Sequence, residues 1–186
     1  MFNYVTQRKF GEASARLLNV PSIKVISETL HVKLPVRSTK GAEVAWHQDF
    51  PSMPVDRAEA LQLWTALVPI TTDMAPMVHL SGSQKSQPGG MVAQLGEDAR
   101  ELYPELFETY EVSEPVNYQA GDALFHHVLT WHSSGSNVTD KVRWAMSSIR
   151  MSERCRYTGQ QNFNTDNLGL VPNQQFDHPN FPTVYP

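Results

Sequence analysis

Thirteen prolines and ten glycines are scattered along the whole 186 residues. Each proline removes a backbone donor and blocks helix propagation, and each glycine favours a turn. Long helices are therefore few, and the chain is expected to be many short strands joined by turns. The apolar pattern agrees. Ile23, Val25, Leu30, Val32 and Leu34 alternate with polar residues across 22–34, the period of a half-buried strand, until Pro35 breaks it. Further strands are expected at 44–50, closed by Pro51 and Pro54, at 61–68 around Trp64, at 77–80, at 123–131 behind the turn Gly121-Asp122, and at 141–151. One short helix is expected over 8–18, ended by Asn19 and Pro21.

The stretch 84–115 differs. It carries Pro88-Gly89-Gly90 and then a charged run, and Leu95, Ala99, Leu102 and Leu106 have helical spacing interrupted by Pro104. It reads as an insertion between strands holding one irregular helix, of the kind that covers a mouth. The tail 154–186, rich in Asn, Gln and Pro, reads as ordered loop. About seven strands and two helices make an antiparallel sandwich or barrel, a mainly β chain forming a single domain over 1–186.

Composition narrows the function classes. Charged residues make up 18% and the formal net charge is −4, with no basic run, which excludes an electrostatic nucleic-acid surface. No apolar run approaches the roughly 20 residues of a membrane span, and the first ten residues lack the apolar stretch of a signal peptide. The single cysteine, Cys155, permits no intrachain disulfide and is expected to be a small buried residue. A cytoplasmic protein acting on a small molecule, away from membranes and nucleic acid, is the expectation.

The chemistry is concentrated in a few positions. His47 and Asp49 are two apart, so a strand presents both on one face. A third ligand must come from far along the chain, and His132, ahead of the turn Ser133-Ser134-Gly135, is the leading candidate. Two histidines and one carboxylate form the facial triad of non-haem Fe(II) sites, which leaves coordination positions open for a cosubstrate and O2. The absence of thiolates argues against structural zinc. Arg143, eleven residues after His132, offers a guanidinium fork for a carboxylate, as the far end of 2-oxoglutarate would require. Taken singly, a His-x-Asp pair, a turn histidine and a strand arginine are commonplace. Their order and spacing together make the case.

Three blocks carry a resemblance. They are Trp46-His47-Gln48-Asp49-Phe50; Leu63-Trp64-Thr65-Ala66-Leu67 with Leu80-Ser81-Gly82-Ser83-Gln84-Lys85; and Gly121-Asp122 through His132 to Ser134, Gly135, Asn137 and Arg143. Over residues 22–158 the chain resembles the phytanoyl-CoA dioxygenase family of 2-oxoglutarate-dependent oxygenases. The resemblance implies a double-stranded β-helix (a jelly-roll, cupin-like) with a few short peripheral helices. It implies Fe(II) on His47, Asp49 and His132, and 2-oxoglutarate on Arg143 with Ser134, Trp64 and Thr29 alongside. Leu80 and Gln84 depart from the family's proline and histidine in a turn away from the metal. Retention of Asp49 argues against halogenation, which needs a small residue there. Family members carry further helices and strands ahead of the block near Ser22, so the N-terminal part is expected to be incomplete relative to them.

The expected activity is hydroxylation of a small-molecule C–H bond, in a secondary-metabolite intermediate, with release of succinate and CO2. A non-catalytic jelly-roll that binds metal or ligand is the alternative, and a zinc hydrolase would have no use for Arg143. Among the remaining residues, His31, His79 and His127 are expected to be structural, one of His126 and His127 to point inward, Trp46 to be core, and Trp131 to stand between core and substrate pocket. The loop 51–60 is placed near the site as a possible cover.

Overall fold

The computed structural model describes residues 4, 6–35, 43–92 and 96–186. Eight strands form two antiparallel sheets: β1 (Ile23–Lys33), β2 (Val44–His47), β3 (Ala60–Ala66), β4 (Val78–His79), β5 (Ala123–His127), β6 (His132–Ser134), β7 (Arg143–Ser152) and β8 (Thr183–Tyr185). The larger sheet has the order β5-β3-β7-β1-β8 and the smaller β2-β6-β4. This is the mainly β, curled two-sheet architecture expected of a jelly-roll. Two details differ from expectation. His132 opens a strand of its own, paired with His47 and His79, rather than lying between the end of a strand and a turn. The tail is not all loop, because β8 extends the large sheet beside Ile23 and Lys24.

The long pairing of β1 with β7 sets the interior. It runs from Ile23 opposite Ser152 to Lys33 opposite Arg143, with a register shift between Val25 and Ser27. Because side chains alternate across a strand, the shift changes which parity faces inward. Ile23 and Val25 pack outward with Ala15, Val20 and Val184 under the helix α1 (Arg8–Leu18), whereas Ile26 joins the interior cluster of Met53, Val128, Met151 and Phe181.

The interior is apolar at both ends and polar between them. At one end lie Trp64, Ala66, Ile70, Met74 and Ala145; at the other lie Ile26, Met53, Met151, Tyr157, Phe176 and Phe181. Cys155 is buried in the second cluster, and burial pushes its thiol up to about 12, so it packs as a small apolar group. Between the clusters stand the polar side chains that build the site.

The insertion holds two short helices, α2 (Ala99–Leu102) and α3 (Pro104–Thr109), divided where Pro104 cannot donate a hydrogen bond. Leu95, expected to begin a single helix, lies outside the described residues. The insertion packs on the outer face of the small sheet, where Val92, Ala99 and Phe107 bury Trp46 and Trp131. It therefore backs the small sheet. Trp131 belongs to this packing, under Tyr103 and against Gly89, and not to a substrate pocket.

Two glycines are required by close approach. A Cβ on Gly89 would stand 2.6 Å from the Trp131 ring, and one on Gly11 would stand 2.5 Å from the Val184 carbonyl oxygen on β8. Neither atom can yield cheaply, because the first belongs to a fully buried ring and the second to backbone. Gly11→Ala should therefore lower stability by about 1–3 kcal/mol in urea denaturation. An unchanged midpoint would show that α1 and β8 do not pack as described.

Candidate metal centre and cosubstrate pocket

His47 and His132 enter from opposed strands, and their rings lie 4.2 Å apart between centroids. Each Nδ1 sits against a backbone carbonyl two residues earlier, His47 at 2.8 Å from Ala45 and His132 at 2.9 Å from Thr130. A carbonyl only accepts, so each Nδ1 carries a proton, and the neutral ring then has its lone pair on Nε2. Those Nε2 atoms face Asp49 Oδ1, at 4.0 Å from His47 and 3.9 Å from His132. Ligand atoms of all three residues lie within 4.8 Å of one another. The donor set of two imidazoles and one carboxylate fits Fe(II).

Electrostatics keep His132 and Asp49 in their ligating forms. Burial, reinforced by His126, holds His132 well below the usual histidine range, so it is neutral near pH 7. Burial works against ionisation of Asp49, but the surrounding imidazoles, His132 foremost, hold its carboxyl well below the usual carboxylate range.

The second oxygen of Asp49 is held separately, by residues that sequence reasoning did not assign. Gln62 donates its amide to Oδ2 at 2.8 Å, and His126 Nε2 lies 3.2 Å from the same oxygen. His126, half of the His126-His127 pair, is therefore the inward member and belongs to the site. His127 packs structurally, its Nδ1 accepting from the Leu129 amide at 3.2 Å. His79 stands beside His126 at 5.3 Å between ring centroids, and burial pushes it down to about 4. Gln62 was legible in principle, two residues before Trp64 and so on the same face of β3. Gln48, between the two ligands, faces the other way. Its side chain donates to the Leu129 carbonyl and accepts from the Gly89 amide, both at 2.7 Å, which ties the insertion to the ligand strand.

A cavity of about 100 Å³ joins His47, Asp49 and His132 to Trp64, Ser134 and Arg143. Arg143 is 3% exposed, lies 5.8 Å from the centroid of the Trp64 ring, and donates to the Ala75 carbonyl at 2.6 Å. Burial lowers its pKa to about 10, so it stays charged at neutral pH. Among the described residues no carboxylate pairs with it, and its Nε has no partner. Ser134 lies in the cavity but its Oγ accepts from Lys33 Nζ at 2.7 Å. Lys33, opposite Arg143 on β1, also reaches the carbonyls of Ser134 and Gly135 and so pins the end of β6. His31, expected to be structural, lines the cavity and bonds Ser147 at 2.7 Å. Thr29 lies two residues further along β1, in a neighbouring chamber rather than with Arg143.

Fixing Oδ2 leaves Oδ1 to the metal and disfavours two-oxygen chelation, which would consume a position needed by a cosubstrate. Outer partners of metal ligands are commonly worth about 10–100-fold in affinity. Gln62→Leu combined with His126→Phe should weaken Ni(II) binding in calorimetric titration by a factor in that range. Affinity unchanged within error would mean that the two donors do not orient Asp49.

Residues 4–145 match the Phytanoyl-CoA dioxygenase (PhyH) family. Human peroxisomal phytanoyl-CoA dioxygenase is 28% identical over 163 residues, covering 81% of this chain and 47% of the relative, so the chain spans about half the length of the curated relative it matches. Among solved structures, the α-ketoglutarate-dependent carbocyclase SnoK from nogalamycin biosynthesis superposes with a TM-score of 0.78 at 23% identity, covering 94% of this chain and 67% of SnoK. EctD from S. alaskensis, solved with 2-oxoglutarate and 5-hydroxyectoine, gives 0.72 at 20% identity, covering 84% and 54%. These likenesses identify the fold as the double-stranded β-helix of such oxygenases. With the family matched across most of its length and the His-Asp-His group assembled, the chain belongs to the phytanoyl-CoA dioxygenase family of Fe(II)/2-oxoglutarate oxygenases.

Proposed function

We propose that this chain is a 2-oxoglutarate-dependent dioxygenase that hydroxylates a C–H bond of a small molecule, a secondary-metabolite intermediate, with release of succinate and CO2. The observation that carries the reading is Arg143. A guanidinium buried without a carboxylate partner is costly, and an acidic ligand from solution resolves that cost. The cavity that holds Arg143 ends at His47, Asp49 and His132, so a diacid bound there reaches from the guanidinium to the metal ligands. That relation distinguishes a cosubstrate site from a metal-storage site or a zinc hydrolase.

In this reading Arg143 takes the far carboxylate of 2-oxoglutarate. Trp64 walls the pocket, and Ser134 offers a hydroxyl already oriented by Lys33. Iron with 2-oxoglutarate supplies the activation of O2 when bound. His47, Asp49 and His132 would hold the metal from one side. The SnoK and EctD structures support a small-molecule substrate only through fold, since both are below 25% identity.

Anaerobic Fe(II) and 2-oxoglutarate added together should give the weak visible absorption of an iron–2-oxo acid complex, and admission of O2 should yield succinate. Arg143→Gln should raise the 2-oxoglutarate needed for half-saturation by at least about 30-fold, corresponding to roughly 2 kcal/mol for a buried charge pair broken on one side. Absence of both the band and succinate in the unaltered chain would remove the oxygenase reading and leave the binding-module alternative.

A further inference from the structure

A second chamber lies on the other side of Asp49 from Arg143. Its volume is about 170 Å³, and its walls include Asp49, Gln62, Thr29, Ser147 and Ile149. It adjoins an outer basin of about 290 Å³ through Ile26, Ser27, Phe163 and Asn164, which line both. Asp49 therefore stands between a pocket that ends in a buried cation and a chamber open to solvent.

Three features of this chamber describe its occupant. The first is charge. Among the described residues no lysine or arginine lines either compartment; the ionisable side chains are Asp49, His31 and, at the outer rim, Glu28. Burial, with Arg143 adding to it, lowers the pKa of His31, so it brings no positive charge at neutral pH. An anion entering here would lose hydration and meet no counter-charge. The second is the set of neutral polar groups. Ser27, Thr29 and Asn164 line the chamber, and their side chains have no hydrogen-bond partner among the described residues, whereas Ser52 and Asn162 are occupied in holding the loop. The third is Phe163, which stands 82% exposed where the two compartments meet, a ring presented to solvent next to unpartnered hydroxyl and amide groups. Pockets that orient a small molecule combine an apolar surface with a few convergent polar groups in this way.

We propose that this chamber is the site of the molecule to be oxidised, and that this molecule is an uncharged, hydroxyl-bearing ring compound of glycoside type. It would stack on Phe163 and exchange hydrogen bonds with Ser27, Thr29 and Asn164. The proposal rests on the oxygenase reading for its catalytic meaning, but its ligand class comes from the chamber walls alone. It also separates this chain from an acyl-CoA role, because a CoA phosphate would find Glu28 at the rim and no cation among the described residues.

Phenyl β-D-glucoside, phenyl phosphate and octanoyl-CoA serve as probes, each followed by ligand-observed NMR. The titrations use the full chain, both metal-free and loaded with Ni(II) and 2-oxoglutarate. The glucoside should bind, and Phe163→Ala and Asn164→Ala should each weaken it by about fivefold. Phenyl phosphate and octanoyl-CoA should not compete with it. Phe163 is exposed, so its removal leaves the fold intact, and Asn164→Ala gives an independent reading. Failure of the glucoside to bind, equal binding to both variants, or preference for either anion overturns the proposal. Loss of the iron–2-oxo acid band would instead strike the oxygenase reading, since probe binding to metal-free protein does not depend on it.

Discussion

The site depends on one buried carboxylate. Asp49 is almost removed from water, and an ionised carboxylate in such surroundings costs several kcal/mol unless donors replace its hydration. Gln62 and His126 supply donors to Oδ2 on the side away from His47 and His132. Charge-assisted bonds of this kind contribute about 1.5–3 kcal/mol each. They also divide the carboxylate into one oxygen committed to the protein and one free to bind a cation. Much else is arranged around this division. β3 and β5 must be paired so that Gln62 lies opposite His126, and β2 must deliver Asp49 just beyond its last residue. The backbone carbonyls of Ala45 and Thr130 then set the imidazole tautomers.

The large sheet supplies the rest. Along β7, alternate residues from Arg143 through Ala145, Ser147 and Ile149 to Met151 face the interior. β1 matches them with Lys33, His31, Thr29 and Ser27. Charge is greatest at the Arg143 end, neutral polar groups occupy the middle, and apolar packing closes the far end. The same pairing that builds the sheet thereby separates the Arg143 pocket from the neutral chamber by two residues of strand.

Much of this was legible in the sequence for identifiable reasons. His47, Asp49 and His132 could be grouped because a strand places alternate residues on one face and a two-sheet fold brings distant turns together. Arg143 could be added because its spacing from His132 allows one reversal of the chain. The bulge in β1 also left a trace, since the apolar positions change parity between Val25 and Leu30, which a single unbroken strand would not do. Other features had no local signature. Gln62 and His126 matter only because two strands pair in a given register, and that register is a tertiary fact. The insertion has the composition of a surface loop whichever face it covers, so its seat behind Trp46 and Trp131 came from packing. Thr29 illustrates the limit on the other side, because a two-residue difference along β1 is enough to move it from the pocket of Arg143 to the neighbouring chamber.

The alternation along β7 has an evolutionary consequence. A step of two residues advances a strand by about 6.6–6.8 Å. Arg143 and the β7 residues that line the neutral chamber, Ser147 and Ile149, are therefore a few side chains apart on one strand, while His31, Asp49 and Gln62 line both compartments. Mutations at Ser147, Ile149 or the Phe163 loop can drift without altering the depth or charge of Arg143. In an oxygenase built on such a strand, substitutions at the chamber end would exchange one preferred molecule for another while leaving Arg143 in place.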